Sequence, residues 1–541
     1  MAVAFLVLLL LASAAAADDD LKIQSPDSKV PAGYRLTVGK VKKIASQAPP
    51  VKAQKKLHQD LAPTAYTRKQ GDWQVSWFSH HKELAQVYVS DDTEKVTEAW
   101  TGPQIAWKMA RGYPGAFGRK VNAWYIWIPL CVLFVAPFFD PRRPFRMLHL
   151  DLLVVVAGFG ISHYFFNLGQ IDISVPLAYP PLLYLLARGL WIGFRPTDKR
   201  ERLVPLVPIT WLVIAILFLV GFRVALNAAD SNVIDVGYAG VIGADRIMDG
   251  DGIYGEDFND DVGSGDTYGP ADYLAYVPFE QAVPWSGTWD DLPAAHGASV
   301  AFDLAVLLGL FVLGGRLRDG PEGRDLGIAL AFAWAALPYS AFSLESNSND
   351  SLVAAFLVWA LVAVASPAGR GAFIALATAT KFAPVGLGPL FLRGATSMDG
   401  SESPDPWRRG RRGALVYCLM FVVVTAVVFL PFIPDGGVRE IFDRTIGYQA
   451  GRDSPFSIWG EFSGLGWLHV VIEAAAVALA LVVAFVPWRR TPVQVAALGV
   501  AVIVALQLTV NHWFYLYVVW FAPFLLVALF TRYRGRYAPG P

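Results

Sequence analysis

From Lys120 onward, apolar and polar positions fall in long blocks rather than alternating residue by residue. Crossing a bilayer takes an α-helix of about 20 apolar residues. Runs near that length predict spans at 121–139, 147–166, 175–194, 204–222, 298–315, 326–343, 350–366, 413–432, 465–486, 491–510 and 513–531. The short connections at 141–146, 195–202, 316–324, 408–412, 489–490 and 532–536 are basic, and positive charge stays on the cytoplasmic side. Only residues 18–120 have a soluble pattern. There a helix-compatible stretch from Val41 to Leu61 precedes three alternating runs, 73–77, 85–89 and 95–100, with Asp91-Asp92 as a hairpin turn. Met1 to Ala17 is a short apolar run ending in small residues, which predicts a secretory signal peptide or an N-terminal anchor.

One segment decides the orientation of everything after it. Residues 372–393 are long enough for a span, but a span there would move the basic 408–412 outside. A re-entrant pair of half-helices broken around Lys381 to Pro384 keeps the parity, with Pro384, Gly386, Gly388 and Pro389 supplying the break. Lys381 then becomes a cation facing the protein interior, which marks a functional site. On this topology the connection 223–297, the short loop at 344–350, the loop 433–463 and Asn511-His512 share the outer face with the soluble block.

Composition agrees with a membrane chain: 55% hydrophobic, 17% charged, mean hydropathy +0.42. The zero net charge hides segregation. Acidic residues crowd 223–297, whose only basic side chains are Arg223 and Arg246, while arginine and lysine gather in the other connections. No basic aromatic surface supports nucleic-acid binding. Cys131 and Cys418 both lie in apolar segments, so neither a disulfide framework nor a zinc site is expected.

Carboxylates beside tyrosines and tryptophans suit a polar, ring-shaped substrate at the membrane surface. A carboxylate there can act as general base on an acceptor hydroxyl, with Asp230, Asp235 and Asp245 as candidates. A departing phosphate needs cations, with Lys381, Arg444 and Arg452 as candidates. The oxygen-rich run from Asp249 to Asp261 makes Asp249 and Asp251 candidates for a divalent cation (Mg, Mn or Ca). It is not an EF-hand, since its glycine is misplaced and Ile253 occupies a ligand position. A structural reading stands beside each functional one. Asp235 also suits the start of a helix over 236–248, Asn349-Asp350 suits a helix cap before Ser351, and Trp467, Trp513 and Trp520 suit interface anchors.

Four stretches resemble the GT-C superfamily of polyprenyl-phosphate-sugar-dependent glycosyltransferases, nearest to glycosyltransferase family 87. They are DVGYAGVIGADRIMDGDGIY from Asp235, TYGPADYLAYVPF from Thr267, NDSLVAAFL from Asn349 with ATATKFAP ending at Pro384, and YQAGRDSPFSIWG from Tyr448 with NHWFYLYVVWF from Asn511. The resemblance implies an acidic base in the first outer loop, Asp235 and then Asp230. It implies that Lys381, in a K-x-x-P element, and Arg452 meet the lipid phosphate. Tyr254, Tyr268, Asn349, Asp350 and His512 fall in these motifs as candidate substrate-binding residues. Separately, W-x-V-x-W at Trp73 followed by D-D-T-E-K-V resembles the PepSY family of small extracytoplasmic domains.

The expected protein is thus an all-α polytopic membrane protein of about 11 transmembrane helices plus a re-entrant helix pair, with a small α+β extracytoplasmic N-terminal domain. Residues 121–203 are accessory helices, 204–531 the glycosyltransferase module with its outer loop 223–297, and 532–541 a cytoplasmic tail. Its partners would be a lipid-linked sugar donor, probed at mannose first, membrane lipid, and a glycan, glycolipid or protein acceptor. Two other classes stay open: a secondary transporter, and a non-catalytic envelope protein whose N-terminal domain binds a partner.

Overall fold

A computed structural model describes residues 21–534 except 69–70, 81, 113–116, 256–257, 259–262, 288–291, 396–405 and 453. The expected signal peptide, the end of the tail and much of the acidic run after Asp251 lie outside the described residues.

The N-terminal domain is a five-stranded antiparallel sheet in chain order, Lys22–Gln24, Ala62–Thr67, Asp72–Ser79, Lys82–Ser90 and Val96–Thr101. Alternation sets its buried face: Trp73, Val75 and Trp77 stand opposite Val89, Val87 and Ala85. Against that face pack Val38, Val41, Ala45 and Val51. The expected helix 41–61 is instead two helices, Val38–Ala45 and Pro49–Leu57. Pro49 has no N–H to donate and clashes with the preceding turn, so it starts a helix instead of continuing one. The first two strands were not foreseen, because Lys22–Gln24 is too short and Ala62–Thr67 carries a proline and weak alternation. Asp91 does more than turn the chain: its carboxylate accepts from the backbone of Arg35 at 2.7 Å and Leu36 at 3.0 Å, and from Trp73 Nε1 at 2.8 Å.

Each of the eleven predicted apolar segments is helical. Among the described residues five helices are long and apolar enough to cross a membrane: Met147–Asn167, Ile171–Phe194, Ile209–Asp230, Pro293–Leu317 and Gly410–Phe432. Gly320–Ala336 and Pro338–Glu345 form a further pair bent by 57°, and the remaining segments are shorter apolar helices of 10–17 residues.

Residues 367–391 form a hairpin. The helix Pro367–Thr380 ends at Lys381, whose backbone is extended, and the chain returns through Ala383–Leu387 and Gly388–Phe391. Arg370 donates to the carbonyls of Val364, Phe391 and Leu392, so the segment enters and leaves at one end.

The connection expected to be a loop from 223 is shorter and more ordered than the sequence suggests. The helix Ile209–Asp230 runs two turns past Arg223, which is buried and paired with Asp303 at 2.6 Å. The next stretch holds two helices, Asp235–Asp249 and Pro270–Ala282. They meet closely because Gly240 and Gly243 face Tyr276 and Tyr273, where a Cβ would come within 2.5 and 2.2 Å of a ring.

Asp303 also accepts from Trp334 Nε1 at 2.9 Å, so this ion pair joins three helices. Removing one partner of such a buried pair costs about 3–5 kcal/mol, because the other charge is left uncompensated. Arg223→Met is therefore expected to lower the thermal midpoint of the detergent-solubilised protein sharply, and Arg223→Met with Asp303→Leu to recover much of the loss. Equal midpoints for wild type and the single variant would show that the pair holds nothing together.

Candidate active site

A cavity of about 660 Å³ opens where the helix starts, the hairpin tip and three loops converge. Asp350 is the first residue of the helix Asp350–Val362, and Lys381 sits at the C-terminal end of Pro367–Thr380. An acid at a helix N-terminus and a cation at a C-terminus both complement the backbone dipole. The two side chains meet at 2.6 Å. The same Asp350 oxygen accepts from Trp520 Nε1 at 2.8 Å, and Ser348 donates to the other. Aromatic faces surround the ammonium, with Trp520 at 5.5 Å and Tyr268 and Tyr517 each at 5.8 Å.

Asp235 faces this cavity from the start of its helix, and its carboxylate accepts the Val236 N–H at 2.9 Å. The helix-start reading and the cavity-facing reading thus hold together. Asp235 is exposed by its accessible surface and lines the cavity, yet it sits among many protein atoms. Burial pushes its pKa above the ordinary carboxylate value. Arg452, the Val236 N–H and Lys381 pull it back, and Asp350 adds to the rise.

Arg452 arrives from the loop after Tyr448–Gly451. Its guanidinium lies over the Trp107 ring at 5.0 Å and the Tyr448 ring at 6.0 Å, and its Nε is buried with no hydrogen-bond partner. Among the described residues no carboxylate pairs with it, in contrast to Lys381. His512 closes the same wall, its Nδ1 within 2.9 Å of Ser454 Oγ. Burial lowers its pKa well below the usual value, and the charges of Arg452 and Lys381 lower it further, which keeps the ring neutral.

Of the residues expected at the site, the cavity collects Asp235, Lys381, Arg452, Tyr268, Asp350 and His512. The others lie elsewhere. Asp230 ends its helix paired with Lys120 at 2.9 Å and Arg119 at 3.7 Å. Asp245 lies further along the helix from Asp235, near Glu280, whose carboxyl is raised by burial and then by the charge of Asp245. Arg444 is held by Asp266 at 3.0 Å and Glu440 at 3.3 Å. Tyr254 is buried in the apolar core around the helices Asp235–Asp249 and Pro270–Ala282 and donates to the Tyr268 carbonyl at 3.0 Å. Asn349 is fully buried and donates to Asp272 at 2.8 Å, so it supports the site from behind. Asp249, the last residue of its helix, and Asp251, just beyond it, are exposed. No group of three or more metal-ligating side chains occurs among the described residues.

Sequence reasoning missed Trp107, Tyr517 and Trp520 as lining residues. Trp513 and Trp520, expected at the membrane interface, are buried, with Trp513 Nε1 donating to Gln507 at 3.1 Å. Trp467 is exposed, as an interface anchor would be. Asp272 was missed as well. Burial pushes its carboxyl up to about 7, against the Asn349 hydrogen bond and the charge of Lys381.

The family model of glycosyltransferase family 87 matches residues 267–518. The match includes Tyr268, Asp350, Lys381, Arg452 and His512, whereas Asp235 lies before it. No curated protein is similar to the chain in sequence.

The raised pKa of Asp272 gives a test. The folded protein holds that proton up to about pH 7, whereas the unfolded chain releases it near 3.8. The fold therefore loses stability as pH rises between those values, by up to about 4 kcal/mol. Relative to Asp272→Asn, the wild-type thermal midpoint is expected to fall as pH is raised from about 5 to 7.5. Parallel pH profiles for the two proteins would rule out a protonated Asp272.

Proposed function

We propose that this protein, whose residues 267–518 match the model of glycosyltransferase family 87, is a membrane enzyme that moves a hexose, mannose first among candidates, from a polyprenyl-phosphate donor to an extracytoplasmic glycolipid, glycan or protein acceptor. The observation that carries the reading is a carboxylate and a guanidinium, Asp235 and Arg452, sharing one cavity, with no carboxylate paired to Arg452 among the described residues. Apolar walls from Leu357, Phe382, Ile503, Leu506, Val510 and Leu516 suit the first part of a prenyl chain. In this reading the cavity, the outer helices and the N-terminal domain face away from the cytoplasm, consistent with the basic connections at the opposite ends of the spans.

The chemistry is a substitution at the anomeric carbon. The acceptor hydroxyl forms the new bond to that carbon as the bond to the phosphate oxygen breaks, and the electron pair leaves with polyprenyl monophosphate. Asp235 takes the hydroxyl proton. Arg452 meets the charge that develops on the phosphate, where a low-dielectric site makes one cation effective. Lys381, held by Asp350, supplies a second and more fixed positive charge. Tyr268, Tyr517 and Trp520 offer faces to a sugar ring and to the oxocarbenium-like centre of the transition state.

A positioned general base contributes roughly 10²–10⁴-fold. Asp235→Asn is therefore expected to lower transfer from a polyprenyl-phosphate sugar by at least about 10²-fold, with unchanged yield. Asp230→Asn, which alters only the Lys120 and Arg119 pairs, should stay near wild type. Because Asp235 works deprotonated and its pKa is raised, the acid limb of kcat/KM should have its midpoint above 3.8. Full activity in Asp235→Asn would remove it as the base.

A further inference from the structure

Part of the cavity wall beside Arg452 comes from outside the residues that match the family 87 model. It comes from the segment that follows the N-terminal sheet, Pro103–Ala106 and Lys108–Arg111 with Trp107 between them. Trp107 sits in an aromatic corner, with Phe456 edge-on at 5.6 Å, His512 tilted at 5.6 Å and the Arg452 guanidinium over its face at 5.0 Å. It is only partly buried, so part of its ring is open to the cavity.

This segment is fixed at both of its borders. On the sheet side, Arg111 donates to Gln86 Oε1 at 2.6 Å and to Tyr88 Oη at 3.3 Å, and its Nε donates to the Gln104 carbonyl at 2.8 Å. On the membrane side, Gln104 donates to the Gly169 carbonyl at 3.1 Å. Gly112, in the left-handed region, approaches Gly169 so closely that a Cβ would come within 1.8 Å of its nitrogen. Sheet, linker and the accessory helix turn at Gly169 therefore form one continuous contact, and Trp107 is held by the N-terminal domain against the catalytic loop.

We propose that the N-terminal domain completes the substrate cavity, with Trp107 as a positioning residue that holds the Arg452 guanidinium in place for the donor phosphate. No carboxylate pairs with Arg452 among the described residues, and a tryptophan face is the strongest aromatic platform for restricting such a cation. The platform leaves the donor groups of Arg452 free for an anion, which a carboxylate partner would occupy. The proposal rests on the reading of the cavity as a polyprenyl-phosphate site.

The test uses the full-length protein in detergent, with polyprenyl monophosphate as the probe and sugar transfer as the second readout. Trp107→Leu keeps apolar bulk but removes the π face, and Trp107→Phe restores a ring. Trp107→Leu is expected to weaken probe binding about tenfold and to lower kcat/KM for the donor by a similar factor, the range a desolvated cation–π contact spans. Trp107→Phe should recover most of the loss. In a double-mutant cycle with Arg452→Gln, the loss in the double variant should fall short of the sum of the two single losses, since Trp107 acts through Arg452. If Arg452→Gln abolishes probe binding while Trp107→Leu binds like wild type, or if the two losses simply add, the proposal is overturned and the phosphate site survives. If Arg452→Gln also binds like wild type, the reading of the cavity itself fails. Should Trp107→Leu not yield folded protein, Trp107→Phe decides in the same cycle: losses that simply add with Arg452→Gln overturn the proposal.

Discussion

The ion pair between Asp350 and Lys381 is the contact on which the site depends. It joins the first residue of one helix to the break in the 367–391 hairpin, and Trp520 ties in a third element through the same carboxylate oxygen. Without it the hairpin tip would carry an uncompensated ammonium among aromatic rings, and the helix start would carry an uncompensated carboxylate. Neither charge is tolerable alone in so apolar a setting. Pairing them fixes where the hairpin turns, and the turn sets the floor of the cavity.

A second layer of support lies behind that pair. Asn349, adjacent to Asp350, reaches back to Asp272 on the helix Pro270–Ala282, which connects the cavity floor to that helix and its neighbour Asp235–Asp249. Those helices pack through glycines against tyrosines, leaving little room for sliding. Asp235, at the start of the neighbouring helix, is therefore placed by packing and not by a flexible acidic loop. The acidic character that draws attention in the sequence belongs largely to surface positions, whereas the carboxylate facing the cavity sits on an ordered helix.

How much of this was legible in the sequence varies with the range of the interaction. The apolar segments, the break at Lys381 and the strands with Trp73 and Val87 follow from local pattern, and the structure has helices, a break and strands there. Motif order likewise pointed to Asp235, Lys381, Arg452 and His512, which one cavity collects. Sequence ranked Asp235 before Asp230 by motif position but could not show why, because Asp230 is drawn off by Lys120 and Arg119, more than a hundred residues earlier in the chain. Trp520 has apolar neighbours like any interface anchor, and its partner Asp350 is 170 residues away. Arg223 looked like the first loop residue because a charge ends an apolar run, but Asp303 on another helix lets the helix continue past it.

On the proposed reading, the charge balance of the cavity also links donor binding to the strength of the base. Lys381 is largely neutralised by Asp350, so Arg452 is the cation that most depresses the pKa of Asp235 after burial has raised it. A donor phosphate seated at Arg452 would compensate that guanidinium and add negative charge of its own. Both changes favour the protonated form of Asp235, which moves its pKa further upward. A carboxylate with a higher pKa is the better proton acceptor so long as it is still ionised at the working pH. The base would therefore be weakest in the empty cavity and strongest once the donor is in place, when an acceptor hydroxyl needs it.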